Sequence, residues 1–176
     1  YWSFHRDYKT NKFSYNNIFK KVLNSKNLIL GSEVRNLEKK IPKYLGLKFG
    51  VGVNSGTDAL LISLLSLGIK KNDEIITTSN TAIPTVSAIV SSGANLVFVD
   101  IKESDYLIDE SKIEEKISKK TKAIIIVHLY GQSPDMSKIL EISRKYNLKI
   151  IEDCAQSFGA TFKGKKLGSF GDISAI

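Results

Sequence analysis

From residue 49 to the end of the chain, short apolar segments alternate with amphipathic segments, and this alternation restricts the fold more than any other feature. Apolar runs of about five residues predict buried β-strands, and apolar residues three or four positions apart predict helices. Strands that are apolar throughout and separated by helices are typical of a mostly parallel sheet with helices on both faces. The predicted strands are FGVGV (49–53), EIITT (74–78), LVFVD (96–100), AIIIV (123–127), KIIED (149–153) and the terminal GDISAI (171–176).

The segments between these strands predict helices by the same pattern. Proline is tolerated in the first turn of a helix, so Pro84 does not exclude one there. Asp109 precedes apolar residues four positions apart and is the expected cap of another helix. The predicted helices lie after residue 57, over 84–91, over 109–117 and over 136–146.

The two parts of the chain are predicted to have different roles. Residues 1–48 contain one strong helical segment, Glu33 to Tyr44, and are predicted to form an N-terminal arm or flanking helices. Residues 49–176 are predicted to form the N-terminal part of a large domain, and 176 residues suffice for a core of useful size. Because the chain stops inside a predicted strand, we expect it to be a fragment.

Composition excludes several classes of protein. The net charge is +8, but the basic residues are mostly scattered lysines in predicted turns and helix ends, which does not favour a nucleic-acid partner. One cysteine cannot form an internal disulfide, and two histidines do not suggest a metal cluster. No segment is apolar for long enough to span a membrane, and no signal-peptide pattern is present. We therefore expect a cytoplasmic protein without a metal site.

The turn Asn54-Ser55-Gly56-Thr57 lies between a predicted strand and a predicted helix. Parallel sheets bind ligands at the carboxyl ends of their strands, and free N–H groups at a helix start favour an anion such as phosphate. Gly56 allows close backbone approach, while Ser55 and Thr57 add hydroxyl donors. The alternative is that Ser or Thr simply caps the helix.

Two acids, Glu152 and Asp153, end the apolar strand KIIED. An acid in this position either caps the following turn or meets a ligand. Successive side chains of a strand point to opposite faces, so Glu152 is expected to point away from Asp153.

Several motifs together resemble the pyridoxal-phosphate-dependent sugar aminotransferases of the DegT/DnrJ/EryC1/StrS type. The resemblance covers nearly the whole chain, in order and at compatible spacing. It implies the large domain of a fold-type I transferase, built on a mixed, mostly parallel sheet and truncated here. The motifs are LILGSEVRNLEKKIPKYLG (28–46), NSGTDAL (54–60), NDEIITTSNTAIPTVSAI (72–89), GANLVFVDI (93–101), KTKAIIIVHLYGQSPDM (120–136), IIEDCAQSFGA (150–160) and GKKLGSFGDISAI (164–176).

The resemblance also implies roles for site residues. Asp153 resembles the catalytic aspartate that pairs with the pyridine nitrogen of pyridoxal 5'-phosphate and keeps it protonated. Gln156 resembles the partner of the ring hydroxyl. Gly56 and Thr57 resemble the phosphate cradle, to which Ser55 is a further candidate.

Three positions near this site stay open. His128 is a further candidate for approaching the cofactor, and the alternative is a structural histidine. Cys154 is interpreted as a small core residue. Many relatives stack an aromatic ring on the cofactor from the TSNTA turn, where this chain has Ala82, so the stacking residue is unassigned.

The implied reaction is transfer of an amino group, with glutamate as donor, to the keto carbon of a nucleotide-linked deoxysugar in amino-sugar or polysaccharide biosynthesis. The family acts as a homodimer, and its Schiff-base lysine is expected beyond Ile176, so this chain alone should be inactive. Related dehydratases use pyridoxamine phosphate and carry histidine in place of the lysine, and they are one alternative. An inactive truncated α/β binding module is the other.

Overall fold

In a computed structural model the described part of the chain, residues 3–176, divides into two compact units, one ending at Gly52 and the other spanning Val53–Ile176. The division falls just after the predicted boundary between residues 48 and 49. That residues 49–176 belong to a cofactor domain stays a prediction. Within residues 3–176 no helix combines the length and apolar character that crossing a membrane requires.

The first unit contains two helices, α1 (Phe4–Asn24) and α2 (Ser32–Leu45). The Ser3 hydroxyl caps α1, and the C-cap that follows α2 is Gly46, whose φ of 76° is the left-handed conformation that glycine adopts readily. The helix predicted over 33–44 is therefore present. None of the residues of α1 is buried, and the sequence did not predict this helix.

The prediction of a strand over FGVGV (49–53) is wrong. The structure has no strand there, and the side chains of Phe49 and Val51 are 79% and 80% exposed. The Gly52 N–H donates to the Glu38 carboxylate of α2 over 2.8 Å, instead of to a neighbouring strand. A Cβ on Gly50 would lie 2.6 Å from the Pro42 ring, so this glycine lets the segment pack closely on α2.

The second unit is built on a five-stranded sheet in the order β2-β1-β3-β4-β7, and every pairing in it is parallel. The fold class is confirmed, although the part of the sheet seen in the described residues contains no antiparallel strand. A two-stranded antiparallel ribbon, β5 with β6, lies outside this sheet. The strands are β1 (Glu74–Thr78), β2 (Asn95–Val99), β3 (Thr121–Val127), β4 (Lys149–Asp153), β5 (Thr161–Phe162), β6 (Lys165–Lys166) and β7 (Ile173–Ala175).

Helices cover both faces of the sheet, as predicted. Alternation along the strands sends Ile75, Ile125 and Ile151 to one face, where they form a core with α3 and α4. On the opposite face Ile124 and Ile150 pack against α5. The helices of this unit are α3 (Gly56–Ser66), α4 (Ile83–Ser91) and α5 (Met136–Tyr146).

The helix predicted over 109–117 is replaced by two short 3-10 helices, Glu110–Lys112 and Glu114–Lys116. Asp109 does cap the first of them, since its carboxylate accepts from the Ser111 N–H. The buried Glu110 carboxylate bonds to Lys102 and to the Asp135 N–H, which ties the start of the segment to two other loops. Both bonds have partners outside 109–117, so contacts beyond the segment contribute to its local structure.

Candidate active site

Three loops meet at the carboxyl edge of the sheet, because β1, β3 and β4 are adjacent there. Val127 at the end of β3 is in register with Asp153 at the end of β4. Helix α3, which begins at Gly56, packs beside β4 and β7. Asp100 follows the outer strand β2 instead, where it is mostly exposed and pairs with Lys112.

Asp153 is nearly buried, with 8% of its surface exposed, on the α4 side of β4. Its Oδ2 accepts a hydrogen bond from the Thr85 hydroxyl over 3.1 Å, and its Oδ1 accepts from the Ala155 N–H over 3.3 Å. The second bond is the turn-capping contact that sequence reasoning held open. Two donors leave lone pairs unused on a carboxylate, which can accept about four hydrogen bonds.

Thr85 is a site residue that sequence reasoning missed. It is fully buried in the first turn of α4, and its Oγ1 lies 2.9 Å from the Oγ1 of Thr81. The helix carries three hydroxyl residues, Thr85, Ser87 and Ser91, so nothing local distinguishes Thr85 from the two serines. Its partner is 68 residues away in sequence, which no local pattern reveals.

Glu152 points to the opposite face of the sheet from Asp153, as strand alternation predicted. It is fully buried and accepts four hydrogen bonds, which come from one histidine and three backbone N–H groups. Burial alone would raise the pKa of Glu152, but the bonds from His128 and from the Gly171 and Gly168 N–H groups outweigh it and hold that pKa below its ordinary value. Glu152 is therefore a charged group satisfied by the protein itself.

His128 is fully buried, and its Nε2 lies 2.9 Å from Glu152 Oε2. This contact is on the Glu152 side of the sheet and corresponds to the structural-histidine alternative. Contact between His128 and a cofactor stays a prediction.

Gln156 is exposed at the carboxyl edge, and its Oε1 accepts from the Tyr130 N–H over 3.0 Å. Because the oxygen is engaged, the amide NH₂ of Gln156 is directed elsewhere as a donor. Tyr130 has a φ of 59° and is 60% exposed, and its hydroxyl lies 3.5 Å from the Asn80 Nδ2. These contacts connect the loops that follow β1, β3 and β4.

Ser55, Gly56 and Thr57 lie at the N-terminus of α3. The Ser55 hydroxyl caps the helix by accepting from the Asp58 N–H over 3.1 Å, and it donates to Asp58 Oδ2 over 2.6 Å. Capping by Ser55 is thus realised, and its hydroxyl hydrogen is already used. Gly56 is exposed with open space where a Cβ would be, and Thr57 is half-buried. The first N–H groups of a helix have no partner within it, so this end retains the capacity to bind an anion.

His128, Glu152 and Cys154 place potential metal-ligand atoms within 4.8 Å of one another. Their chemistry does not suit a metal ion. All four acceptor sites of Glu152 are occupied by N–H donors, and burial raises the pKa of Cys154 to about 12, so its thiol is neutral at physiological pH. The absence of a metal site stays a prediction.

The chain belongs to the DegT/DnrJ/EryC1/StrS aminotransferase family, whose model matches residues 10–176. Aminotransferases of this family use pyridoxal phosphate. The sequence-based recognition of the family is therefore confirmed.

Individual relatives support the same assignment. The chain is 50% identical over 156 residues to dTDP-3-amino-3,6-dideoxy-alpha-D-galactopyranose transaminase of Aneurinibacillus thermoaerophilus, a match that covers 89% of this chain and 43% of the relative. It is 42% identical over 175 residues to dTDP-3-amino-3,4,6-trideoxy-alpha-D-glucose transaminase of Micromonospora megalomicea subsp. nigra, covering 99% of this chain and 47% of that protein. The crystal structure of S. venezuelae DesV in complex with a ketimine intermediate matches with a TM-score of 0.92 at 34% identity, covering 95% of this chain and 45% of DesV. The chain thus spans less than half the length of each of these proteins.

Proposed function

We propose that the full-length protein is a pyridoxal-phosphate-dependent aminotransferase that converts a nucleotide-linked keto-deoxysugar to an amino sugar, with glutamate as the donor. Family membership supports the reaction class, and the relatives named as dTDP-amino-sugar transaminases support the substrate class. The observation that carries the proposal is Asp153. A nearly buried carboxylate with unused lone pairs stands at the carboxyl end of a central strand, where such sheets bind ligands.

The residues of this edge fit the cofactor. When bound, pyridoxal phosphate supplies an electron-withdrawing ring that stabilises negative charge on the substrate carbon. We assign Asp153 to hold a proton on the ring nitrogen, and the free NH₂ of Gln156 to donate to the ring oxygen. The N-terminus of α3, with Gly56 open and Thr57 half-buried, would hold the phosphate.

The Schiff-base lysine is proposed to lie beyond Ile176, and the residue at that position separates two activities. Lysine would support amino transfer, because its amine both binds the cofactor and moves a proton. Histidine would indicate the alternative, a dehydratase dependent on pyridoxamine phosphate. Without that residue, residues 1–176 are proposed to lack turnover.

The remaining parts of the proposal concern partners and location. The resemblance to the family supports a homodimer, and the relatives' nucleotide-linked products support a nucleotide sugar as the small-molecule partner. Independence from nucleic acid and membranes, and a cytoplasmic location, stay predictions.

The experiment is to incubate the full-length protein with pyridoxal phosphate, glutamate and a dTDP-linked 3-keto-deoxysugar, and to follow amino-sugar formation by mass spectrometry. Asp153→Asn should lower kcat at least about 100-fold, because a neutral amide does not hold the ring nitrogen protonated. Asp100→Asn is the matched control, since Asp100 also follows a strand but lies at the outer edge of the sheet. Full turnover in Asp153→Asn would contradict the assignment of Asp153, and release of water without amination would favour the dehydratase.

A further inference from the structure

A short chain of hydroxyl groups ends at the Asp153 carboxylate. Thr81 Oγ1 lies 2.9 Å from Thr85 Oγ1, and Thr85 Oγ1 lies 3.1 Å from Asp153 Oδ2. Thr81 directly precedes Ala82, the N-cap of α4, and Thr85 lies in the first turn of that helix, whereas Asp153 ends β4. The contact therefore joins the start of one helix to the end of a central strand.

The direction of these hydrogen bonds follows from the chemistry of the groups. An ionised carboxylate only accepts, so Thr85 must donate its single hydroxyl hydrogen to Asp153. Once that hydrogen is used, the Thr85 oxygen can only accept from Thr81, which is therefore the donor in the first bond. The order Thr81 to Thr85 to Asp153 is the one arrangement in which both bonds form.

Thr85 has little freedom to turn away. It is fully buried, and its own N–H bonds to the Ala82 carbonyl in the first turn of α4. A threonine in a helix commonly bonds the carbonyl of the preceding turn, yet here the hydroxyl reaches another element. A buried valine would fill the same space without requiring a hydrogen-bond partner, so packing alone does not explain the hydroxyl.

We propose that Thr85, supported by Thr81, is a positioning residue that fixes the orientation of the Asp153 carboxylate toward the cofactor nitrogen. This inference rests on the proposed function. Thr85 and the Ala155 N–H each hold one carboxylate oxygen, which restricts rotation of the group about its last bond. The lone pairs that these two donors leave free are then presented in a fixed direction before the cofactor arrives.

The test compares Thr85→Val, which keeps the shape and removes the hydroxyl, with Thr85→Ser, which keeps the hydroxyl. The dissociation constant for pyridoxamine phosphate is measured in the full-length protein by titration calorimetry, and folding is checked by urea denaturation. We expect Thr85→Val to weaken binding about 10-fold, Thr85→Ser less than about 3-fold, and Thr81→Val about 3-fold. Equal binding by the Val and Ser variants would overturn the inference.

A second measurement separates positioning from a general structural effect. In an Asp153→Ala background the hydroxyl has no carboxylate to orient, so Thr85→Val should change binding less than about 2-fold. The same 10-fold loss in that background would show that Thr85 acts independently of Asp153 and would overturn the inference. If Thr85→Val does not fold, Thr81→Val takes its place in both backgrounds.

The two proposals fail in different ways. A parent protein that does not bind pyridoxamine phosphate would refute the proposed function together with this inference. Normal binding that is unaffected by removing the Thr85 hydroxyl would refute the inference alone.

Discussion

The two carboxylates at the end of β4 lie on opposite faces of the sheet, and they differ in burial and in the number of hydrogen bonds that they accept. On one face Glu152 is fully buried and accepts four hydrogen bonds, three of them from the backbone of residues 168–171. On the other face Asp153 keeps 8% of its surface exposed and accepts two. The two adjacent acids of β4 thus differ in how many of their acceptor sites are filled by hydrogen bonds from the protein.

The difference indicates a division of roles. A buried carboxylate whose acceptor sites are all filled has no capacity for a ligand, and it stabilises the fold by satisfying donors that would otherwise be buried without partners. A carboxylate with acceptor sites left over is oriented but not saturated. Glu152 is accordingly a structural residue, and Asp153 retains capacity for the proposed cofactor.

The largest expected effect is on the Glu152 side. Glu152→Ala leaves the N–H groups of Gly168, Phe170 and Gly171 and the ring of His128 without their acceptor, which should lower the free energy of unfolding by about 3–5 kcal/mol. Urea denaturation measures this loss. Glu141→Ala, on the exposed part of α5, is the control and should stay within about 0.5 kcal/mol of wild type. If Glu152→Ala lowered the free energy of unfolding by less than about 1 kcal/mol, Glu152 would not be the structural residue that this comparison makes it.

A milder change at the same residue tests its charge. Glu152→Gln keeps the shape but loses charge-assisted hydrogen bonds, and it should cost about 1–3 kcal/mol at neutral pH. Because the pKa of Glu152 in the folded protein lies below its ordinary value of 4.5, its stabilising contribution is complete above that pH and is lost as the pH falls through the folded pKa. The difference in unfolding free energy between wild type and Glu152→Gln should therefore shrink as the pH is lowered below about 4.5. A difference that stays constant with pH would mean that the pKa of Glu152 is the same in the folded and the unfolded protein.

Asp153→Asn should have a smaller effect on folding, about 1 kcal/mol or less. The amide oxygen can still accept from Thr85 or from the Ala155 N–H, so few donors lose their partner. Thermal or urea unfolding of the variant without added cofactor measures this directly. If Asp153→Asn lowered the free energy of unfolding as much as Glu152→Ala, Asp153 would also be a residue that mainly stabilises the fold.

Gln156→Ala should have the smallest effect on stability, within about 0.5 kcal/mol, because Gln156 is exposed and, within residues 3–176, only the Tyr130 N–H bonds to its side chain. Binding of pyridoxamine phosphate should nevertheless weaken several-fold, since a donor to the ring oxygen is removed. The same preparation serves for urea denaturation and titration calorimetry. If Gln156→Ala lowered stability but bound pyridoxamine phosphate normally, Gln156 would stabilise the fold and would not be a donor to the ring oxygen.

Sequence patterns predicted the sheet well because continuous apolar strands leave a strong local signal, as in EIITT and KIIED, whose bounds match β1 and β4. They failed at FGVGV, where the apolar pattern resembled a strand but Gly52 bonds to Glu38 of a helix. They also missed α1, which buries none of its residues. The first error arises because a contact with a residue distant in sequence decides the local structure. The second arises because, within the described part of the chain, the helix packs against nothing that would bury its residues.

The candidate site was predicted to a similar extent. Alternation along β4 correctly separated Glu152 from Asp153, but it could not show what either one contacts. The donors to Glu152 come from His128 and from a loop 16 to 19 residues later, and Thr85 lies 68 residues from Asp153. Such contacts are fixed by tertiary packing, which a single sequence does not display.

The bond between Tyr130 and Gln156 has a consequence for how such a protein can diversify. The donor is a main-chain N–H, so replacing the side chain at position 130 leaves this bond in place, and the exposed ring can change with the loss of its 3.5 Å contact to Asn80. The φ of 59° limits that freedom, because few residues other than glycine, asparagine, aspartate and histidine adopt it readily. Variation at position 130 should therefore be confined to a short set of side chains, which makes it a compact target for a focused library.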